Sequence, residues 1–321
     1  MERTIRKDSV LGFLRKYGTV VTALIIFIVF SFIIDNFFNS TSILMLLRQM
    51  SVLTILALGF TFVMAGGGFD MSIGTTIGLV SMIFGYILID TNNLFLAIMG
   101  AVAVGLAVGT VNGLFVAYIG VPDFIGTFAV GSVVYGVKML ISGGHPVFFP
   151  ADVTPGAQFI GRGFVGEIPF PIVLMVIFTI ITVFVLGKTS LGRRIYAVGG
   201  NRTASMFAGI NVRKYRLISF IICGLGVAAT GVLLSSRLNS SQPLAGEDML
   251  LEAIAVVFLS TTMFGEGEPT PLGTVVGAFT ITTLGFGMTM LGMGYHSQNI
   301  TKGVVVIFAV LMSVALRRKD R

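Results

Sequence analysis

Residues 170–234 read FPIVLMVIFTIITVFVLGKTSLGRRIYAVGGNRTASMFAGINVRKYRLISFIICGLGVAATGVLL. Two apolar runs, 170–187 and 215–236, enclose a polar stretch. Each run approaches the ~20 residues that carry a helix across the ~30 Å hydrocarbon core of a bilayer. Between them, Lys188–Arg216 holds seven cations (Lys188, Arg193, Arg194, Arg202, Arg213, Lys214, Arg216) and no acid. It also carries Gly192, Gly199, Gly200 and Gly209, with Asn201 beside the glycine pair. Glycine and asparagine tolerate the backbone geometry that ends helices. The spacing predicts a short helix bounded by turns, facing water and a docking partner on the cytoplasmic side.

Composition fixes the solvent of the rest. Hydrophobic residues make up 55% of the chain and charged residues 11%, against about 25% charged in soluble domains. Mean hydropathy is +0.97. The chain is therefore expected to be an all-α integral membrane protein. Its net charge of +7 does not point to nucleic acid, because the 21 cations are unevenly placed. Five lie in 1–16, seven in 188–216 and four in 317–321, with only Glu2, Asp8 and Asp320 among them. Cation-rich flanks of apolar spans stay cytoplasmic, which puts both termini and the 188–216 loop inside. The single Cys223 lies in an apolar run, excludes an internal disulfide and reads as a small buried hydrophobe.

About ten spans are expected, at 17–35, 48–66, 74–90, 94–118, 124–142, 170–187, 215–236, 249–264, 271–293 and 298–316, some of them broken or re-entrant. An even number returns the C-terminus to the side of the N-terminus, as the charges require. Residues 1–16 suit a cytoplasmic interfacial segment, 17–316 a single transmembrane domain with 188–216 as its inner loop, and 317–321 a basic tail. Arg48, Lys138, Arg162, Arg237 and Lys302 fall toward the outer side, where long cationic side chains snorkel to the interface. The outer loop 143–169 holds four prolines and six glycines and is expected to form an irregular cap. Gly105, Gly109 and Gly113 share one helix face and suit close helix packing.

No catalytic or metal site emerges, and no cofactor is expected. His145 and His296 have no companions at metal-ligand spacing. Lys188 and Thr189 follow a span rather than a strand and lack the glycine pattern of a phosphate loop. The sharpest intramembrane feature is AGGGFDMSIG, 65–74. Three glycines disfavour continuous helix, and broken helices are tolerated in membranes where the freed backbone groups meet protein or water. Asp70, with Ser72, either caps the helix that follows or lines a solute path. Other polar candidates for that path are Asn112, Thr127, Gln242 and Glu252. Glu247 and Asp248 read as loop solvation, and Glu266 and Glu268 with Pro269 and Pro271 as a rigid inner turn.

Four blocks occur in the order of a known family: GGFDMSIG (67–74), NGLFVAYIGVPDFIGT (112–127), LGRRIYAVGGNRTASMFAGINV (191–212) and SRLNSSQPLAG (236–246). Together they resemble the permease subunit of bacterial ATP-binding-cassette importers of the ribose/galactose/xylose type. The resemblance implies a second permease copy or paralogue, separate cytoplasmic ATPase subunits and an extracytoplasmic sugar-binding protein, in the bacterial cytoplasmic membrane. It implies that Gly192, Arg193, Arg194, Gly199, Gly200, Asn201, Ala204, Gly209 and Ile210 couple the permease to the ATPase. Two departures stand out: Ser260-Thr261 replaces a Gly-Gly pair, and Tyr135 stands where an arginine is common. The competing class is an ion-gradient-driven secondary transporter, which would recruit Asp70 and Glu252 but leave the basic loop unexplained.

Overall fold

A computed structural model describes residues 2–150, 155–263, 267–305 and 307. Glu266 of the expected inner turn, residues 308–316 of the expected last span and the basic tail 317–321 lie outside the described residues. Twelve helices are α1 (Glu2–Ile33), α2 (Ser40–Ala65), α3 (Ile73–Thr91), α4 (Leu94–Gly113), α5 (Asp123–Ser142), α6 (Pro155–Arg162), α7 (Phe170–Lys188), α8 (Ser190–Gly200), α9 (Arg202–Phe207), α10 (Val212–Leu238), α11 (Met249–Thr261) and α12 (Pro271–Met290). Residues 295–305 are also helical. A π-helical turn, Leu114–Ile119, prolongs α4. The fold is all-α, and among the described residues strands are confined to two-residue pairs.

Among the described residues seven helices are long and apolar enough to cross a membrane: α2, α3, α4 with its extension, α5, α7, α10 and α12. Gly18–Ile33 and α11 are apolar but shorter. The thirteen residues of α11 rise about 20 Å, less than the ~30 Å core. The expected interfacial segment and first span form one continuous helix, α1. Asparagines punctuate the bundle. Asn39, Asn93 and Asn211 each accept a backbone N–H from three residues ahead, at 2.8–3.1 Å, which satisfies donors that helix starts leave open. Asn92 and Asn239 end α3 and α10 in the left-handed region.

The chain divides into two compact units, residues 1–50 with 251–321 and residues 51–250. In the first, α1 packs on α12, with the rings of Phe27 and Phe37 against Phe279 and Phe286. Thr19 and Thr262 share a hydrogen bond of 2.7 Å. Ser260 joins the end of α11 to the start of α12: its hydroxyl donates to the Thr270 carbonyl at 2.8 Å and accepts the Thr270 N–H at 2.9 Å. The departure from the family's glycine pair thus has a local use.

In the second unit α10 is the central helix, packed on α4 and α3. Gly105, Gly109 and Gly113 all face it, against Gly224, Phe220 and Leu217. A side chain at any of the three would collide with α10, so close helix packing is their role. The described parts of the 143–169 segment, 143–150 and 155–169, are more ordered than their prolines and glycines predict. Strand β1 (Val147–Phe148) pairs antiparallel with β4 (Ser240–Ser241). The two-turn α6 begins at Pro155, a residue suited to a first helical turn, and β2 (Phe164–Val165) pairs with β3 (Ile168–Pro169).

Candidate functional site

The glycine run closes α2 by a Schellman motif. Gly67 (φ 67°) donates to Met64 O at 3.0 Å and Gly68 to Val63 O at 2.8 Å, the bonding that a left-handed glycine after a helix produces. The backbone then crosses 69–72 without helical bonds, and side chains take the freed donors. Phe69 N–H donates to Asp123 Oδ2 at 3.1 Å and Met71 N–H to Thr127 Oγ1 at 2.9 Å. Ser72 N–H donates to Asp70 Oδ1 at 2.8 Å. The chain resumes as α3 from the Ser72 carbonyl.

Asp70 lies under this crossing, 3% exposed. Ser72 Oγ donates to its Oδ1 at 2.7 Å. From α4, Asn112 Nδ2 reaches both carboxylate oxygens at 3.2 Å and Ser72 Oγ at 2.7 Å. Burial pushes the Asp70 carboxyl above its usual range, while the bonds from Ser72 and Asn112 pull the other way. Asp70 accepts the N–H that precedes α3 rather than occupying the N-cap position itself, which belongs to Ser72. Four of the six path candidates therefore converge: Asp70, Ser72, Asn112 and Thr127. Gln242 does not join them. Its N–H donates to Ser81 Oγ at 3.1 Å, nine residues and about 14 Å further along α3. Glu252 belongs to the other unit, where it pairs with Lys302.

The basic segment folds as two short helices. Thr189 caps α8, whose Ile195 and Val198 are buried with Phe62, Ala65, Leu186 and Tyr215. Asn201 caps α9, its Oδ1 accepting Ala204 N–H at 2.9 Å. Gly209 (φ 76°) ends α9 by a second Schellman motif, with Ile210 N–H donating to Ser205 O at 2.9 Å. Gly192 is buried against Leu186, whereas Arg193, Arg194, Gly200, Asn201 and Ala204 are exposed. The pair Gly199-Gly200 does not form a turn; both belong to α8, and neither has positive φ. Gly199 is required for contact instead. A Cβ there would collide with Ala65 O and come within 2.9 Å of Gly67 N.

This contact brings the basic segment onto the α2–α3 break. Arg202 Nη2 donates to Gly67 O at 2.7 Å. Arg216 is not a loop cation free to meet a partner, as its position in the sequence suggests. It is 7% exposed and forms an ion pair with Asp123 at 2.6 Å, and Asp123 is the acceptor of Phe69 N–H. Asp123 is the residue that sequence reasoning passed over, although the turn V-P-D before an apolar run placed an acid at the start of a helix. A second such pair lies elsewhere in the unit. Lys138 does not snorkel: it is fully buried, 2.7 Å from Glu247 Oε1 and 4.9 Å from the Tyr135 ring centre, so Glu247 is more than loop solvation. Among the described residues no cluster of His, Cys, Asp or Glu could hold a metal ion.

The turn between spans α2 and α3 is thus braced by the basic segment that follows span α7. Residues 42–315 match the family described as branched-chain amino acid transport system / permease component. The chain belongs to this family. It is 35% identical over 301 residues to the ribose import permease protein RbsC of Bacillus subtilis (strain 168), covering 94% of this chain and 93% of that one. It is 34% identical over 304 residues to RbsC of Escherichia coli (strain K12), covering 94% of each. To the D-allose transport system permease protein AlsC of Escherichia coli (strain K12) it is 31% identical, covering 92% and 91%. No solved structure matches. The chain is a multi-pass membrane permease, the path-forming component of a transport system.

Proposed function

We propose that this permease imports a sugar-type solute, delivered by an extracytoplasmic binding protein and driven by ATP hydrolysis in separate cytoplasmic subunits. It works in the bacterial cytoplasmic membrane with a second permease copy or paralogue, and has both termini and residues 188–216 inside. The observation that carries this reading is the seat of α8 and α9 on the α2–α3 break. A push on the basic segment reaches the break through Gly199 against Ala65, Arg202 on the Gly67 carbonyl, and Arg216 through Asp123 to Phe69.

In this scheme Arg193, Arg194, Gly200, Asn201, Ala204, Gly209 and Ile210 meet the ATPase, and Gly192 and Gly199 seat the helices. Met206 and Phe207, 66% and 89% exposed, supply the apolar anchor that charge patterning overlooks. In the 51–250 unit Asp70, Ser72, Asn112 and Thr127 hold the inner end of the solute path, with Gln242 further along α3. The ribose and allose named for the relatives favour a neutral polyhydroxylated solute. The ion-gradient alternative draws no support, since Asp70 is tied to Ser72 and Asn112, and Glu252 to Lys302.

The test is reconstitution of the permease with its ATPase and binding protein. Hydrolysis should rise with sugar-loaded binding protein above the level with the empty one, and uptake should require ATP. Uptake driven by an ion gradient without the ATPase would refute the reading. If only an amino acid, metal ion or vitamin is carried, the solute half fails and the importer half stands.

A further inference from the structure

The 51–250 unit contains a cavity of about 650 Å³ that the site above does not use. Its wall includes Phe178, Ile181 and Val185 of α7, Val102 of α4, and Ile222 and Ala229 of α10, and Thr182 is its one residue with a polar side chain. Its cause is the course of α7. That helix packs on α6 and the β2–β3 hairpin at one end and on α8 at the other. Between those anchors it faces the cavity, which follows it from Phe170 to Val185. Fifteen residues of helix rise about 22 Å, longer than the ~15 Å hydrocarbon depth of one leaflet.

Native interiors rarely hold voids larger than a water molecule, and an apolar wall gives water no partners. In a bilayer the available filler is hydrocarbon. Lys188 lies one turn beyond the lining Val185 on α7 and is exposed at the end of the cavity that reaches Leu191. Arg193 Nη1 donates to the Lys188 carbonyl at 3.3 Å, which holds the guanidinium at the C-terminal end of α7. No carboxylate occurs anywhere from Phe170 to Arg216 to neutralise them. Basic residues at the membrane face of an interhelical gap are suited to an anionic headgroup.

We propose that this cavity binds one acyl chain of an anionic phospholipid whose phosphate rests on Lys188. The lipid fills the space between α7 and the body of the unit and sits beside the junction of α7 with α8. The inference needs only that α7 crosses the bilayer; it does not depend on the solute or the energy source.

Photo-crosslinking tests it on the full-length permease in nanodiscs. Phosphatidylglycerol and phosphatidylcholine probes would carry the same diazirine-tagged acyl chain. Read residue by residue, the phosphatidylglycerol probe should label Phe178 and Ile222, exceeding the phosphatidylcholine probe by roughly fivefold. Ala229→Phe, which fills the cavity, should remove that labelling, and Lys188→Glu should lower it toward the phosphatidylcholine level. Equal labelling by the two probes in the unmodified protein would overturn the proposal. So would labelling no stronger at these positions than at exposed Ile177 and Ile180, or labelling that persists unchanged in both variants.

Discussion

Replacing Gly199 by alanine is the sharpest probe of the link between the basic segment and the α2–α3 break. The new Cβ would collide with the Ala65 carbonyl oxygen, and would lie 3.0 Å from its carbon and 2.9 Å from Gly67 N. All of these are backbone atoms, so no side-chain rotation relieves the contact. Carbon–oxygen contacts settle at about 3.3–3.6 Å, which requires α8 to withdraw from the end of α2 by about 1 Å or more. That movement stretches the Arg202–Gly67 bond from 2.7 Å past the ~3.2 Å limit of a good N–H···O bond. Overpacking of this kind costs about 1–3 kcal/mol, and a hydrogen bond from a charged donor contributes about 1.5–3 kcal/mol. Gly200 is the internal control, because it is exposed and its φ is ordinary. Gly200→Ala should be neutral or slightly stabilising, as alanine favours helix over glycine by up to about 1 kcal/mol. Both variants would be compared for thermal unfolding in detergent and for ATP hydrolysis stimulated by loaded binding protein. Gly199→Ala should lower the unfolding temperature and uncouple hydrolysis; Gly200→Ala should leave the unfolding temperature unchanged or slightly raised. Equal unfolding temperatures of the two variants would refute the argument from backbone contact.

Asp70→Ala should destabilise the permease by about 1–3 kcal/mol for each buried donor left open on Ser72 and Asn112, whereas Asp70→Asn keeps an acceptor and should lose less; denaturation midpoints of the two decide the order. Lys138→Met alone should be tolerated better than Glu247→Leu alone, since the latter strands a buried ammonium at a cost of about 3–5 kcal/mol, and the double variant should recover most of that loss in thermal unfolding. Cysteines at exposed His145 and Thr203 should react with an impermeant maleimide in intact cells at 145 and not at 203, the buried Cys223 staying silent. Reaction at 203 alone would reverse the orientation.

Helix existence was legible because apolar length is set by the bilayer, and so were the blocks 67–74 and 191–212, which the fold brings into contact. Their connection was not legible. Sequence counts Arg216 as the seventh cation of a basic loop, yet the apolar run that starts just after it already shows that the residue stands inside a helix at the membrane face. A cation there must find a carboxylate, and only folding reveals that Asp123, 93 residues earlier in the chain, is the one. The same limit applies to Lys138, whose partner Glu247 is 109 residues away. Glycine misled in the opposite direction. Gly67 and Gly199 look alike in sequence, but Gly67 is needed for its positive φ and Gly199 for the backbone it touches. The two needs are complementary: the left-handed turn at Gly67 ends α2 where its last carbonyls and the Gly67 carbonyl face α8 and α9, and the bare Gly199 lets α8 come close enough for Arg202 to reach that carbonyl. A pair of glycines 132 positions apart thus makes one joint, which neither motif contains by itself.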